Sequence, residues 1–377
     1  MPPVSVLIKP ASSLCNLSCE YCFYHAIAEN REVASYGIMK EETLEEIVRK
    51  VLEFADGMAT FSFQGGEPTL AGLDFFRHLI ELEERYNGKD VRIQNCIQTN
   101  GTLLDEEWCR FLHDHRFLVG LSMDGPAAIH DRYRCRPNGE RTYEAVQKAA
   151  DLLTEHEVDF NILVVVNGAN AKKPQCLYDF FRNKGYRYIQ FIPCIDAEGV
   201  RRGSMSFSLT SEKFAAFLKG FFDKWYAEIS RDEEVSVRYF DNLVRIVMGM
   251  RPETCSMFGS CQCQFIFEAD GSVYPCDFYV KDEWRIGNIR DLSIQEIALS
   301  EKTMEFIQRS VHVPTECSRC QWYRLCRNGC CRDREDNLTG EIGVNCYCEA
   351  YREFFEYAYP RISALAKHFS GIRMAAV

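Results

Sequence analysis

The sequence predicts an α/β fold built on a mostly parallel sheet, either a partial (β/α)6 barrel or a doubly wound sheet. From residue 4 to about 235, short apolar runs alternate with amphipathic segments. Residues 160–166 form a β-branched, nearly continuous apolar run, as do strands that are buried on both faces. Repeated strand–helix units favour parallel pairing with right-handed crossovers. In either architecture, functional groups gather at the carboxyl ends of the strands.

The apolar runs and amphipathic segments give the predicted elements in chain order. Strands are predicted at 4–10, 59–64, 91–98, 117–122, 159–166 and 187–193. Helices are predicted near 40–55, 72–87, 105–115, 142–156, 174–185 and 211–229, and an aromatic-rich helix is predicted at 349–369.

Composition narrows the class of protein. The 377 residues suffice for two or three domains, and the formal charge of −11 argues against nucleic acid as a partner. No apolar run is long enough to span a membrane, and no secretory leader is visible, so we expect a cytoplasmic protein without a membrane partner. Nineteen cysteines in such a chain favour metal or redox chemistry over disulfides.

The first strand is followed by three closely spaced thiols, Cys15, Cys19 and Cys22. Three thiolates can hold three irons of a [4Fe–4S] cube and leave the fourth iron open to another ligand. A closed structural zinc site requires four ligands. No further cysteine completes such a site locally, although His25 is near. An iron–sulfur cluster is favoured, and zinc remains the alternative.

Polar turns follow the next strands. Gly65 and Gly66 lie in Gln-Gly-Gly-Glu-Pro, where adjacent glycines let backbone approach a ligand closely. Asn100 ends the third strand and Ser122 the fourth. Taken singly, each is more often an ordinary turn.

The chain beyond about residue 250 is rich in cysteine. Residues 265–277 alternate around Asp-Gly, which predicts a β-hairpin ending at Cys276 and Asp277. The cysteine spacing is C-x5-C-x-C from residue 255, then C-x2-C-x5-C-x3-C from residue 317, then C-x-C at 346–348. Structural zinc held by four thiolates is the alternative to clusters here as well.

The Cx3CxxC loop followed by Gly-Gly-Glu-Pro resembles the radical S-adenosylmethionine (SAM) enzymes. The resemblance implies a partial (β/α)6 barrel whose cluster binds SAM. It further implies that Gly66 meets the SAM amino group, that Tyr21 lines the cluster loop, and that Ser122 and Arg134 bind the ribose and carboxylate side. Ile195 would contact the adenine.

The cysteine-rich half resembles the SPASM extension of radical SAM enzymes that modify peptides. That resemblance implies two auxiliary [4Fe–4S] clusters, one held by Cys255, Cys261, Cys276 and Cys330 and the other by Cys317, Cys320, Cys326 and Cys348. The roles of Cys263, Cys331 and Cys346, which lie beside assigned ligands, stay open. The implied domains are the barrel at 1–235, the SPASM domain at 236–348, and a C-terminal helix at 349–377 that packs on the barrel.

Over essentially the whole chain the sequence resembles the anaerobic sulfatase-maturating enzymes, in part because no separate peptide-recognition domain precedes the first strand. The resemblance implies oxidation of a cysteine or serine of a sulfatase, in a Cys/Ser-x-Pro-x-Arg context, to Cα-formylglycine after hydrogen abstraction at Cβ. It also implies a low-potential electron donor such as flavodoxin or ferredoxin. Asp277 is the candidate base, and Tyr24 and Gln64 are candidates to face the substrate.

Two alternatives remain at this point. A SPASM maturase that installs a thioether or another crosslink in a ribosomal peptide would share the motifs. A non-catalytic zinc or electron-transfer module would share the cysteines.

Overall fold

The computed structural model describes residues 3–231 and 233–375. Across those ranges no helix combines the length and the apolar character that crossing a membrane would require. Contacts divide the chain into two compact units, each assembled from separate stretches of sequence. The first unit contains residues 1–122, 131–160 and 262–308, and the second contains 123–130, 161–261 and 309–377.

Among the described residues, the first six strands lie within a few residues of the predicted apolar runs, whereas the seventh and tenth strands have no predicted counterpart. In chain order, the strands are β1 (Val4–Ile8), β2 (Met58–Phe63), β3 (Arg92–Thr99), β4 (Leu118–Ser122), β5 (Phe160–Val166), β6 (Tyr188–Pro193), β7 (Ser236–Val237), β8 (Ile266–Phe267), β9 (Ser272–Tyr274) and β10 (Gly287–Asn288).

The longer helices also match the predicted segments within a few residues. The helices are α1 (Phe23–Glu29), α2 (Glu41–Phe54), α3 (Leu73–Tyr86), α4 (Glu106–Asp114), α5 (Ala127–His130), α6 (Tyr143–Glu155), α7 (Pro174–Asn183), α8 (Ser211–Ile229), α9 (Arg238–Val247), α10 (Ile294–Leu299), α11 (Glu301–Ser310), α12 (Thr315–Ser318), α13 (Tyr323–Cys326), α14 (Cys331–Arg334) and α15 (Cys348–Ala375).

In the first unit, strands run in the order β10-β9-β8-β1-β2-β3-β4, with β1 to β4 parallel. Aromatic side chains fill the space between β2 and α3; the rings of Phe63 and Phe76 are 5.0 Å apart. The carboxyl ends of the four parallel strands share one edge, which places the cysteine loop, the double glycine, Asn100 and Ser122 after strands on that edge.

The predicted hairpin is confirmed. Strands β8 and β9 pair antiparallel, with Ile266 opposite Tyr274, and β8 adds to β1 in parallel. The hairpin therefore extends the sheet beside the strand that precedes the cysteine loop, and the chain leaving β9 reaches Cys276 and Asp277.

In the second unit, β5, β6 and β7 are parallel neighbours in that order. Helix α8 buries the aromatic residues that the helical spacing assigns to a core, and Phe222 lies 5.5 Å from Phe354 of α15. Helix α15 thus packs on α8, the last predicted helix of the barrel segment. This contact supports the proposed docking of the C-terminal segment on that part of the chain.

Candidate active site

The cysteine loop is held in place by backbone hydrogen bonds. Ser18 N–H donates to the carbonyl of Cys135 (2.8 Å), and Glu20 N–H donates to that of Tyr133 (3.0 Å). Burial raises the pKa of the Cys15 thiol to about 11. Thiolates at such a site are stabilised by the positive charge of bound metal, and their binding releases protons.

The double-glycine turn packs directly on this loop. Gly66 N–H donates to Ser12 O (2.9 Å), and Glu67 N–H donates to Leu14 O (2.7 Å). A Cβ placed on Gly66 would lie 1.9 Å from the Leu14 oxygen, so no larger residue fits without moving the loops apart. Because the Gly66 N–H is used internally, its carbonyl is the group suited to accept from a ligand amine.

Glu67 joins three segments below that turn, a role that sequence reasoning missed. Its buried carboxylate accepts from Thr99 Oγ1 (2.7 Å), from Asn100 N–H (2.8 Å) and from Thr69. The Asn100 side chain in turn donates to Asn16 Oδ1 (2.8 Å). The end of β3 is thereby fixed to the cysteine loop. The only sequence signal for Glu67 was its place in the Gly-Gly-Glu-Pro motif.

Arg134 and Tyr21 lie together in the first unit. Arg134 Nη1 donates to Tyr21 OH at 3.0 Å, and both side chains are buried. Only 7% of Arg134 is exposed, so its guanidinium lies in the protein interior and not in solvent. Ser122 is buried at the end of β4. Ile195 belongs to the second unit, just after β6, and its adenine role stays a prediction.

Asp277 has two carboxylate oxygens in different environments. Oδ2 accepts a short hydrogen bond from Tyr24 OH and another from Gln64 Nε2 (3.2 Å), which also donates to Tyr24 OH (2.8 Å). Within the described ranges, Oδ1 is buried and has no hydrogen-bond partner. The side chain is thus held by two other elements and not by its local backbone. Burial raises the pKa of Asp277, and the nearby Lys9 ammonium opposes this rise.

A buried ion cluster lies behind Tyr24. Lys9 Nζ is 2.9 Å from Glu268 Oε1, and Arg31 Nη1 is 2.7 Å from the same oxygen. The Lys9 ammonium also lies 5.0 Å from the centre of the Tyr24 ring. These two cations hold the pKa of Glu268 down to about 2 against the effect of burial. The cluster ties β1 to the β8–β9 hairpin and so supports Tyr24 from behind.

In the second unit, one set of predicted cluster cysteines lines a single cavity. Cys317, Cys320, Cys326 and Cys348 surround a space of about 380 Å³. One water occupies about 30 Å³ in the liquid, so the space admits a group of many atoms. Cys346 is not among the residues that line it, which supports the assignment of Cys348.

The other predicted set is distributed over both units. Cys276 follows β9 in the first unit, whereas Cys255, Cys261 and Cys330 belong to the second. Within the second unit, Gly259 lies against Arg327, with an added Cβ only 3.3 Å from that of Arg327, so the 255–261 loop borders the segment leading to Cys330. Their shared cluster stays a prediction.

The three remaining cysteines of this half have other surroundings. The Cys263 thiol is hydrogen-bonded to the Thr303 side chain and to the backbone of Phe265. Cys331 is buried at the start of α14, and burial raises the pKa of Cys346 to about 12.

Comparison with known proteins places the chain among characterised relatives. A cysteine-type anaerobic sulfatase-maturating enzyme from Clostridium perfringens (strain 13) is 48% identical over 98% of this chain and 100% of its own length. A serine-type enzyme of the same name from Bacteroides thetaiotaomicron is 32% identical over 97% of this chain and 92% of its own length. A solved structure, native anSMEcpe with bound AdoMet and Cp18Cys peptide, superposes with a TM-score of 0.94 at 47% identity, covering 98% of this chain and all of that one.

Two family models match separate segments of the chain. The radical SAM superfamily model matches residues 10–181, and the SPASM iron–sulfur cluster-binding domain matches residues 255–321. These matches confirm the predicted fold class and set aside the zinc and non-catalytic alternatives. Given the full-length similarity, this chain belongs to the anaerobic sulfatase-maturating enzymes, which are radical SAM enzymes with a SPASM domain.

Proposed function

We propose that the chain oxidises a cysteine or serine of a sulfatase, within a Cys/Ser-x-Pro-x-Arg context, to Cα-formylglycine. The observation that carries this proposal is the Asp277 carboxylate, which has one oxygen held by Tyr24 and Gln64 and the other buried without a partner in the described ranges. Such an oxygen is suited to accept the proton that the substrate residue must lose on its way to an aldehyde.

The residues fit the cofactors that the family implies. The close approach at Gly66 leaves a backbone carbonyl for the SAM amine, and the four-thiol cavity admits a cluster. We infer three [4Fe–4S] clusters, held by Cys15, Cys19 and Cys22 and by the two auxiliary sets of four. When bound, these groups would supply a 5′-deoxyadenosyl radical able to remove a Cβ hydrogen, and a cluster able to accept the electron that the substrate must also lose.

The chain's own contribution is the timing and direction of proton transfer. A free cysteine has a pKa of about 8.5 and an aspartic acid about 3.9, so moving the proton from thiol to carboxylate costs about 6 kcal/mol. Deprotonation therefore accompanies or follows loss of the Cβ hydrogen, when the radical acidifies the group. Burial of Asp277 reduces the difference between the thiol and carboxyl pKa values, because it raises the pKa of the carboxyl.

The substrate preference proposed here is cysteine. Identity is 48% to a cysteine-type relative against 32% to a serine-type one, and the peptide named with the similar solved structure is Cp18Cys. We further infer that a sulfatase polypeptide is the partner, that a flavodoxin- or ferredoxin-like protein donates electrons, and that the enzyme acts in the cytoplasm.

Mass spectrometry of peptides tests the proposal. Matched peptides carrying Cys or Ser before x-Pro-x-Arg are incubated anaerobically with the reduced, reconstituted enzyme and SAM. The expected product of the Cys peptide is an aldehyde, formed when water hydrolyses the thioaldehyde and sulfide leaves. A loss of two hydrogens with sulfur retained would instead favour the crosslinking maturase.

A further inference from the structure

Two side chains with N–H groups line the cavity of the second unit beside its four thiols. Trp322 and Asn328 line it together with Cys317, Cys320, Cys326 and Cys348. Each of the two side chains carries an N–H group, and each is fixed by its surroundings. The Trp322 ring packs 5.3 Å from Tyr359 and 6.0 Å from Phe355.

Both N–H groups are buried without a partner. Within the described residues, Trp322 Nε1 and Asn328 Nδ2 find no hydrogen-bond acceptor. Buried donors in native proteins are nearly always paired, and an unpaired one calls for a further partner such as a water, an ion or a ligand. Because Trp322 and Asn328 both belong to the wall of one cavity, an occupant that carries acceptors would supply partners for both donors.

The backbone around Asn328 is shaped for this position. Arg327 and Asn328 both adopt left-handed conformations, with φ of 46° and 70°, and such conformations in non-glycine residues cluster at functional sites. The backbone N–H of Asn328 donates a hydrogen bond to the sulfur of Cys326. The side-chain oxygen of Asn328 accepts a hydrogen bond from the Cys317 thiol at 3.4 Å.

That last contact depends on the thiol proton. Once Cys317 binds iron as a thiolate, it has no proton to donate. The amide oxygen and nitrogen occupy nearly equivalent positions, so a flip turns the Asn328 N–H toward the sulfur.

We propose that Trp322 and Asn328 donate hydrogen bonds to sulfur atoms of the cluster held by these four cysteines and thereby raise its reduction potential. The inference rests on the proposed three-cluster function. Reduction adds negative charge to the cluster, and N–H dipoles directed at its sulfurs stabilise the reduced form more than the oxidised form. The two residues would thus make this cluster a better acceptor of the electron released by the substrate.

The test is an anaerobic redox titration of the reconstituted full-length enzyme, followed by electron paramagnetic resonance. Trp322→Phe keeps the ring and removes the N–H, and Asn328→Gly suits the left-handed backbone while removing the amide. Each variant is expected to lower the equilibrium constant for reduction of one cluster about tenfold, which is about 59 mV for a one-electron couple. Glu316→Asp, which alters an exposed residue of the same cavity wall, keeps its charge and removes no donor, is the matched control and should leave the potential unchanged.

A measurement on the unsubstituted enzyme keeps the inference testable should a variant fail to assemble. In enzyme labelled with ¹⁵N-tryptophan, pulsed electron paramagnetic resonance of the reduced cluster should show a coupling between its electron spin and the indole nitrogen of Trp322. Of the four tryptophans, Trp225 donates instead to Val235 O at 3.1 Å.

The outcomes separate this inference from the function on which it rests. An iron content of about twelve, four per cluster, shows that all three clusters are present. In that case an absent ¹⁵N coupling, an unchanged potential in Trp322→Phe, or an equal shift in Glu316→Asp would overturn the inference alone. About eight irons, with no cluster at these cysteines, would overturn the three-cluster function as well.

Discussion

Asp277 is the proposed base, and its two oxygens have different surroundings. Tyr24 and Gln64 donate to Oδ2, whereas Oδ1 has no partner among the described residues and is the oxygen that we propose accepts the substrate proton. Replacement by asparagine keeps the shape and removes the base. Asp277→Asn should lower aldehyde formation by about 10²–10⁴, the usual worth of a general base, while SAM cleavage to 5′-deoxyadenosine persists.

Both products of Asp277→Asn are measured in one reaction, by chromatography for 5′-deoxyadenosine and mass spectrometry for the peptide. Asp282→Asn is the control, since this exposed carboxylate lies on the same loop and only accepts from Glu32 N–H (2.8 Å). An undiminished aldehyde yield in Asp277→Asn would remove the base assignment.

Tyr24 should act through Asp277. Burial and the Asp277 carboxylate raise the pKa of Tyr24 well above its usual range, so the phenol stays protonated and donates. Tyr24→Phe loses a hydrogen bond to a charged group, which is worth about 1.5–3 kcal/mol. The ratio of aldehyde to 5′-deoxyadenosine should therefore fall about tenfold or more. Tyr86→Phe, which loses a surface bond to Glu45 (2.5 Å), should leave that ratio unchanged.

Sequence reasoning reached some of these residues and not others, for identifiable reasons. Asp277 was predicted because it adjoins a cluster cysteine, and Tyr24 and Gln64 because they lie near motifs. The pairing of Arg134 with Tyr21 and the buried Glu67 carboxylate could not be derived, since burial of a charge depends on segments distant in the chain.

At the scale of elements, the contact between the double-glycine turn and the cysteine loop is the tightest feature of the site. Gly66→Ala would place a Cβ 1.9 Å from Leu14 O, so the two loops must separate. Displacements of about 1 Å cost about a hundredfold in rate, and we expect a loss of that order in 5′-deoxyadenosine formation. Gly88→Ala, where nothing lies within 4 Å, should have no effect. Equal activity of the two variants would contradict the proposed role of this contact.

Helix α3 carries a buried acid that should make stability depend on pH. Asn95 donates to one oxygen of Glu83 (3.0 Å), and burial raises the pKa of Glu83 from 4.5 to about 7. Between those values the folded state holds a proton that the unfolded chain releases. This carboxyl therefore costs stability increasingly as pH rises through that window, by about 3 kcal/mol at most.

Glu83→Gln should accordingly raise the melting temperature, and by more at pH 8 than at pH 6. Anaerobic thermal melts of the reconstituted enzyme measure this difference. The neighbouring exposed Glu84→Gln removes the same charge and should show little change at either pH. An equal gain at both pH values would show that Glu83 is already ionised in the folded protein at pH 6.

The long elements were predictable, whereas short ones were not. Continuous β-branched runs and amphipathic segments located β1 to β6 within a few residues, because burial on both faces leaves a plain pattern. Helices α1, α5 and α9 to α14 escaped prediction, and α1 and α9 show why. The first starts directly after Cys22, and the second follows a two-residue strand, so neither has the flanking signals of a longer helix.

At the scale of the whole molecule, the cysteine pattern was the strongest predictor of function. Cys317, Cys320, Cys326 and Cys348 span 32 residues of sequence and yet line one cavity, as the SPASM resemblance implied. The linear division at 235 and 348 remains a proposal, because the compact units interleave stretches from both halves of the chain. The SPASM resemblance implies which thiols share a cluster, but not how the chain returns to bring them together.

The most direct test follows one hydrogen atom. A Cys-x-Pro-x-Arg peptide deuterated at the cysteine Cβ is incubated with the reduced enzyme and SAM, and 5′-deoxyadenosine is isolated. The account predicts that deuterium appears in 5′-deoxyadenosine in step with aldehyde in the peptide. Deuterium that stays wholly in the peptide, or an aldehyde formed without labelled 5′-deoxyadenosine, would contradict it.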